Sequence, residues 1–365
     1  MSIRRLFLFL VVGVALLIST GIQTKSQLPD PVLGLFVGRN VNLAPYPTIE
    51  NGLPVVNSGD PYLQRQNEPS MAVSTRNPMH LLAATNDYRT VYIPETEGPL
   101  PGIELAASAS GDAWLGIFKS YNGGQSWTTH LLPGYPQDSD GQASPLYGYE
   151  AACDPTVRAG SSGLFFTSGI VFDRIEHGGS AIFIARYIDN NTQAIGEMDS
   201  IEYIDVNIID EGTSGQFADK PWIAVAAPTD ENDTVTIDAP SYTQTIPRFD
   251  VYIVYSIFLG SSTAEDHSQI WFAKSSDCGN SWGRPFKLSE SIHVCQGTNV
   301  VVSPAADGTI YVVWRQYSRG QQGVPDAIVM CKSTDGGQTF TKAEVIAEIN
   351  AYDQFTYPAD PDFPE

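Results

Sequence analysis

One eight-residue pattern occurs three times in this chain: Ser120-Tyr121-Asn122-Gly123-Gly124-Gln125-Ser126-Trp127, Ser275-Ser276-Asp277-Cys278-Gly279-Asn280-Ser281-Trp282 and Ser333-Thr334-Asp335-Gly336-Gly337-Gln338-Thr339-Phe340. Each copy follows a short apolar stretch ending in Lys, at residues 116–119, 270–274 and 327–332, and leads into another strand-like stretch. The physics of the unit is local. Its Asp or Asn can hydrogen-bond the backbone of its own turn, its Gly supplies the positive φ of a tight turn, and its hydroxyls can satisfy further amides. The closing aromatic buries its ring against the hairpin. Nothing in the unit is chemically reactive. It is a hairpin staple, and its repetition constrains the chain to an array of antiparallel sheets.

The remaining strands fall into place around the staples. First strands are expected to open at Glu68-Pro69, Asp154-Pro155, Lys220-Pro221 and Gly297-Thr298, and second strands at 79–84, 163–169, 250–257 and 308–314, where β-branched and aromatic residues gather. Proline at the first position of a strand removes no central ladder bond. Between the first and second staples there is room for one sheet that has lost its staple, running from residue 154 with its third strand at 181–187. Four sheets are visible in all. Residues 227–248 read as a polar insertion in the third of them, a solvent-facing loop.

The three staples resemble the Asp-box (BNR) repeat of sialidase-like β-propellers, the first carrying Asn122 where the others carry Asp277 and Asp335. The resemblance implies an all-β propeller of four-stranded blades, with the box joining the third and fourth strands of each. Propellers similar to sialidases generally have six blades. Residues 352–358 look like the opening of a fifth first strand, so the expectation is an incomplete six-bladed ring spanning residues 67–365. The alternative is a four-bladed ring closed by an N-terminal strand at 34–43, because an open propeller exposes strand edges.

Composition narrows the function. The 365 residues carry 20 Lys+Arg against 41 Asp+Glu, a formal net charge of −21, which disfavours nucleic acid and anionic membrane surfaces as partners. Charged residues make up only 17% of the chain and aromatics 11%, a balance that suits a packed core rather than an acidic disordered tail. Arg4 and Arg5 precede an apolar run at 6–18, followed by Ser19, Thr20 and Gly21. That pattern reads as a secretory signal over residues 1–21, followed by a leader at 22–66, because a membrane span needs about 20 apolar residues. An uncleaved N-terminal anchor is the alternative. The expected location is secreted, periplasmic or at the cell surface. Cys153, Cys278, Cys295 and Cys331 have no zinc-site spacing; they are either up to two disulfides or small buried residues.

The resemblance to sialidases also implies a site: an arginine cluster that grips a carboxylate, an Asp acid/base, and a Tyr nucleophile backed by Glu. Where those enzymes have Arg-Ile-Pro, this chain has Asn67-Glu68-Pro69, and a carboxylate there would repel an anionic sugar. Asp87-Tyr88-Arg89 looks like their Asp-x-Arg element, which makes Arg89 the counterpart of the second arginine and Glu95 or Glu97 the nearby acid/base candidates. A second constellation needs no such analogy. Glu68, Asp154 and Asp219 precede first strands, while Asp87, Arg89, Asp173, Arg174 and Arg315 follow second strands, so all are expected to ring one channel mouth. Such a ring suits a glycan or glycoprotein; it would also suit a hard cation such as calcium, although no ligand spacing indicates one and no cofactor is expected. The competing reading is that these side chains cap loops or pair between blades. Tyr147, Tyr149 and Tyr317 could stack on sugars or pack their own loops. The sequence thus leads to a secreted propeller that binds glycans or proteins through its channel face. The alternative is an exo-sialidase-type glycoside hydrolase with a modified arginine clamp.

Overall fold

In the computed structural model each staple closes the hairpin between the third and fourth strands of a four-stranded antiparallel sheet. The structure describes residues 41–50, 53–54, 58–60, 66–91, 111–175, 178–191, 200–212, 215–241, 243–259, 267–289, 294–304, 307–318 and 325–350. The readings placed on residues 1–21, 34–40 and 352–358 lie outside them. Met1–Asn42 form one unit and Leu43–Glu365 another, and the sheets all belong to the second.

The box hydrogen bonds are those its residue types allow. Ser275 Oγ accepts the Gly279 N–H at 2.9 Å and donates to Asp277 Oδ1 at 2.8 Å. The same Asp277 Oδ1 accepts the Ser281 N–H at 2.8 Å, and Trp282 Nε1 donates to the Gly279 carbonyl at 3.2 Å. Ser333 and Asp335 repeat this with Gly337 and Thr339, at 2.9 and 3.0 Å. In the first box Asn122 serves equally: its Oδ1 accepts the Ser126 N–H at 2.9 Å and its Nδ2 donates to Ser126 Oγ at 2.7 Å. Gly279 is required, because it has φ of 78° and a Cβ there would lie 2.8 Å from the Phe166 ring of the preceding sheet.

A two-residue ladder of β1 (Ile49–Glu50) with β2 (Leu53–Pro54) precedes the sheets. Blade 1 is β3 (Gln66–Val73), β4 (Leu81–Asp87), β5 (Trp114–Ser120) and β6 (Thr128–Leu131). Blade 2 is β7 (Ala151–Ala159), β8 (Leu164–Phe172), β9 (Ser180–Asp189) and β10 (Ile201–Gly212). Blade 3 is β11 (Gln216–Val225), β14 (Val251–Leu259), β15 (His267–Ser275) and β16 (Phe286–Lys287), with β12 (Thr234–Asp238) and β13 (Thr243–Pro247) inserted as a separate hairpin. Blade 4 is β17 (Val294–Val302), β18 (Ile310–Tyr317), β19 (Ala327–Ser333) and β20 (Glu344–Glu348).

Blade 2 keeps the trace of a box. Ile188 pairs with Leu164 as Ser120, Ser275 and Ser333 pair with Leu81, Val251 and Ile310, so an isoleucine stands where the capping hydroxyl should be. Asn190 then holds the Asx position, and Asn191 has the positive φ, 45°, of the residue after it.

The first strands depart from expectation in one repeated way. They do not begin at the prolines; each runs through them in a β-bulge. Register jumps between Asn67 and Ser70, Cys153 and Thr156, Asp219 and Trp222, and Gln296 and Asn299. The first bulged residue is left-handed each time, with φ of 52° at Glu68, 61° at Asp154, 48° at Lys220 and 64° at Gly297. Two residues oppose one, so the second has no ladder partner, and Pro69, Pro155 and Pro221 fit there because they have no N–H to satisfy.

The cores lie between blades. Leu82, Trp114 and Ile117 of blade 1 pack with Val157, Phe165 and Phe183 of blade 2. Phe166, Ile182 and Ile184 pack with Ile223, Val251 and Ile253 of blade 3, and Val254, Ile270 and Phe272 with Val300, Ile310 and Val312 of blade 4. Successive first strands touch, β3 with β7, β7 with β11 and β11 with β17. Boxes couple the same neighbours: Arg186 of blade 2 donates to the Cys278 carbonyl at 3.4 Å, and Lys274 of blade 3 to the Gly336 carbonyl at 2.8 Å.

Two readings are resolved here. Residues 227–248 are not a solvent-facing loop: they form the β12–β13 hairpin, whose Ile237 and Ile246 are buried in the core between blades 2 and 3. The alternation of Thr with Val and Ile hides one apolar face behind a polar composition. The four cysteines are free thiols, Cys278, Cys295 and Cys331 buried and Cys153 half-buried. Burial pushes Cys278 and Cys295 up to about 11 and Cys331 up to about 12, which leaves them unreactive.

The boxes make two predictions. Ser275→Ala strands the buried Gly279 N–H and should destabilise the protein by about 1–3 kcal/mol in urea denaturation, whereas the exposed Ser281→Ala should change it by less than about 1 kcal/mol. Burial pushes the Asp277 carboxyl up, but the hydrogen bonds from Ser281 and Ser275 outweigh it and hold it below the usual range. Thr339 and Ser333 hold Asp335 below it too. Both contributions are therefore complete above the unfolded carboxylate value of about 4 and disappear as pH falls through the folded values. The double variant Asp277→Asn with Asp335→Asn should show a flatter loss of stability below about pH 4 than the parent, read from melting midpoints across a pH series.

Candidate functional site

The four bulges converge. Their residues line one cavity of about 550 Å³ at the end of the sheets where the first strands begin, with β18 completing the wall. The geometry follows from the backbone: a left-handed residue turns its side chain out of the pleat, so Glu68, Asp154 and Lys220 project together where an unbroken strand would alternate. Lys220 Nζ lies 2.5 Å from Glu68 Oε2 and 2.9 Å from Asp154 Oδ1, tying three first strands with one ammonium. Asn86 Oδ1 accepts the Asp154 N–H at 2.8 Å, and Thr156 Oγ1 donates to the Pro221 carbonyl at 2.9 Å, so the bulges also brace one another.

The electrostatics are those of a crowded acidic cluster with one cation in it. Burial raises the Asp154 carboxyl above its ordinary value, a hydrogen bond with Asp219 raises it further, and contacts with Glu68 and Lys220 only partly oppose this. Burial weakens the hold of Lys220 on its proton, but its hydrogen bonds to Glu68 and Asp154 prevail and the ammonium is held charged. Burial, followed by the charges of Asp154 and Asp219, pushes the Cys153 thiol far up. On the opposite wall the Arg315 guanidinium lies 4.0 Å over the Tyr317 ring and 3.7 Å from Asp326. Arg315 Nε and the buried Thr298 Oγ1 have no hydrogen-bond partner among the described residues. Trp222 adds an aromatic face, backed by the Arg158 guanidinium at 4.6 Å.

The expected ring of charges is therefore half present. Glu68, Asp154, Asp219 and Arg315 meet at the cavity. Asp87 and Arg89 do not: both side chains are fully buried inside blade 1 and spent on each other. Arg89 Nε and Nη2 donate to Asp87 Oδ2 at 2.9 and 2.6 Å, Nη2 reaches Thr129 Oγ1 at 2.6 Å, and the Phe118 ring lies beneath at 5.8 Å. Asp87 folds over Gly116, where a Cβ would come 2.4 Å from its Oδ2, so it faces the sheet and not the channel. Asp173 caps a turn, accepting the N–H groups of Glu150 and Gly179 at 3.3 and 3.2 Å. Arg174 belongs to a different cavity, paired with Asp112 at 2.5 Å. Glu95 and Glu97 lie outside the described residues.

Lys220, Trp222 and Thr298 are the site residues that sequence reasoning missed. The signal was there: Glu68, Asp154 and Lys220 each directly precede a proline, whereas Asp219 lies one residue earlier and matches Asn67 and Cys153. No three His, Cys, Asp or Glu side chains among the described residues are arranged to hold a metal ion.

No family model and no curated protein matches the sequence. Solved structures do. A protein of unknown function from Dyadobacter fermentans matches at 13% identity with a TM-score of 0.42, covering 80% of this chain and 71% of that one. The GH93 α-L-arabinofuranosidase of Fusarium graminearum, in complex with arabinobiose, matches at 13% identity and a TM-score of 0.42, over 77% of this chain and 65% of that one. The Trypanosoma rangeli sialidase in complex with the inhibitor DANA matches at 12% identity and a TM-score of 0.41, over 83% of this chain and only 42% of the sialidase. The chain's four four-stranded antiparallel sheets, with successive first strands in contact, make a propeller-like fold.

Proposed function

We propose that the protein binds a neutral, hydroxyl-rich ligand, a glycan, in the cavity ringed by the four bulges. One observation carries this: acceptors (Glu68, Asp154, Asp219), donor-bearing side chains (Lys220, Arg315) and aromatic faces (Trp222, Tyr317) share a cavity of about 550 Å³. Vicinal hydroxyls both donate and accept, and the C–H face of a sugar stacks on an aromatic ring, so this mixture fits a saccharide better than a purely apolar or purely ionic ligand. An anionic sugar fits poorly. Lys220 is already held by two carboxylates and Arg315 lies beside Asp326, so the carboxylates at and beside the cavity, Glu68, Asp154, Asp219 and Asp326, outnumber its two cations and oppose a substrate acid group. Export through the N-terminal signal would put the site where extracellular glycans are met.

The test is calorimetric titration of the full chain with four neutral oligosaccharides, arabinobiose, xylotriose, cellotriose and N,N′-diacetylchitobiose, against 3′-sialyllactose. At least one neutral sugar should bind, and Trp222→Ala should weaken it by about 1–2 kcal/mol, roughly tenfold. Preference for the sialylated sugar would refute the reading.

A hydrolytic reading has one observation in its favour: burial and a hydrogen bond with Asp219 hold the Asp154 carboxyl above its ordinary value, which is the direction acid catalysis needs. The folded state favours the neutral form of Asp154; that stabilisation is present below the unfolded value of about 4 and is lost as pH rises through the raised value. Asp154→Asn, neutral throughout, should gain stability relative to the parent as pH rises through this window, measured by denaturation at a series of pH values. Turnover of aryl glycosides that vanishes in Asp154→Asn while sugar binding survives would support catalysis; absence of turnover across the neutral glycosides would leave binding as the activity.

A further inference from the structure

The propeller has a second cavity, of about 520 Å³, that the channel reading does not use. It opens between blades 1 and 2, where β4, β6 and β8 end and β5 and β7 begin. We propose that this cleft is a second saccharide-binding site, separate from the channel.

The cleft is built by a rigid loop. Between β6 and β7 the chain is pinned at its start by Trp114 Nε1, which donates to the Leu132 carbonyl at 2.8 Å. In its middle the buried Asp138 accepts the N–H groups of Gly134 and Gly141, both at 2.8 Å, and Ser144 Oγ donates to the Pro133 carbonyl at 3.0 Å. Leu146 is fully buried in the core between the two blades. A loop held at so many points does not collapse, and it delivers the residues after Leu146 to one place.

Those residues are Tyr147-Gly148-Tyr149. Gly148 has φ of 111° with open space on its side-chain side, and this turn sets both tyrosines on the cleft wall. Tyr147 is 41% exposed, a large aromatic left in solvent although the core lies one residue away. The other wall is made of planar polar groups. Arg174 stacks on Phe172 at 4.7 Å and forks onto Asp112, Nε to Oδ2 at 2.5 Å and Nη2 to Oδ1 at 3.2 Å, and Asp112 Oδ1 also accepts the Ala113 N–H at 2.7 Å, so the pair is oriented and the exposed Arg174 presents its guanidinium to the cleft. Gln137 and Thr90 complete it. Aromatic rings facing oriented guanidinium, carboxylate and amide planes present the two things a pyranose or furanose offers partners for, a C–H face and adjacent hydroxyls. The single cation is neutralised by Asp112, and Glu150 stands on the same wall, so the saccharide is again a neutral one.

The proposal shares its ligand chemistry with the channel reading but none of its residues, so titration of the full chain with the same four neutral oligosaccharides separates them. Binding should show two sites. Tyr147→Ala, an exposed position that leaves the melting temperature unchanged, should weaken one of them at least tenfold, as should Arg174→Ala, while Tyr147→Phe should leave it within about threefold. Trp222→Ala should weaken only the other. If Trp222→Ala removes all binding and the Tyr147 and Arg174 variants change nothing, the cleft proposal fails and the channel reading stands. If only the cleft variants matter, the channel reading fails and the cleft stands. Binding of none of the four sugars overturns both.

Discussion

One backbone constraint shapes both fold and site: each first strand must place one residue in the left-handed region and follow it with a residue that has no ladder partner. Gly297 meets this without strain, whereas Glu68, Asp154 and Lys220 hold positive φ at a cost of roughly 1–2 kcal/mol each. The ion pairs among the three do not offset that, because Lys220 and Glu68 are half exposed and such pairs are worth about 0–1 kcal/mol. The channel mouth is thus a locally destabilised element. Its persistence rests on apolar burial between blades, where Phe165, Phe183, Phe166 and Phe272 are fully removed from water at about 1.5–3 kcal/mol each.

That division of labour explains why the boxes sit where they do. Bulges act at the end of the blades where first strands begin; boxes close the opposite end, where third strands finish. A box does more than turn the chain, since its left-handed residue exposes a carbonyl to the preceding blade, and Arg186 and Lys274 take those of Cys278 and Gly336. Blade 2, with Ile188 in place of the serine, gives up the hydroxyl cap but retains the Asn191 conformation. Inter-blade contact there is carried instead by Lys119, which lies 5.5 Å over the Tyr187 ring, and by Asp189, whose carboxylate takes Ser74 Oγ and His80 Nδ1 of blade 1 at 2.5 and 3.0 Å.

Features determined by nearest neighbours could be read from the sequence, and features determined by register could not. Ser, Asx, Gly and aromatic at fixed spacing dictate the box because every bond closes within a few residues, and the strands between boxes are apolar enough to be located to within a few positions. The bulge was half legible. A charged residue before proline marks it, yet proline reads equally well as a strand start, and that one-residue ambiguity left Lys220 out of the ring whose cavity it lines together with Asp219. Asp87 and Arg89 failed for a different reason. Their placement came from their position after a second strand, but which face a terminal side chain takes depends on the space left by the neighbouring strand, and Gly116, diagonal to Asp87 on β5, leaves room inside the blade that Asp87 fills.

The acidity of the chain acquires a location from this. The net charge of −21 would be diffuse if the carboxylates were spread evenly over the surface. Of these, Glu68, Asp154 and Asp219 gather at the channel mouth, Asp112, Glu150 and Asp173 gather around the cleft, and the cations among them, Lys220, Arg315 and Arg174, each stand beside a carboxylate. A site that attracted anions would need free guanidinium or ammonium groups facing the ligand, as a carboxylate clamp does. Here the cations serve to make crowded carboxylates tolerable, and the carboxylates remain as oriented acceptors. If the two cavities bind saccharides as proposed, electrostatic selection there would work by exclusion, disfavouring phosphate, uronate and sialate and leaving stacking and hydroxyl recognition to choose among neutral sugars.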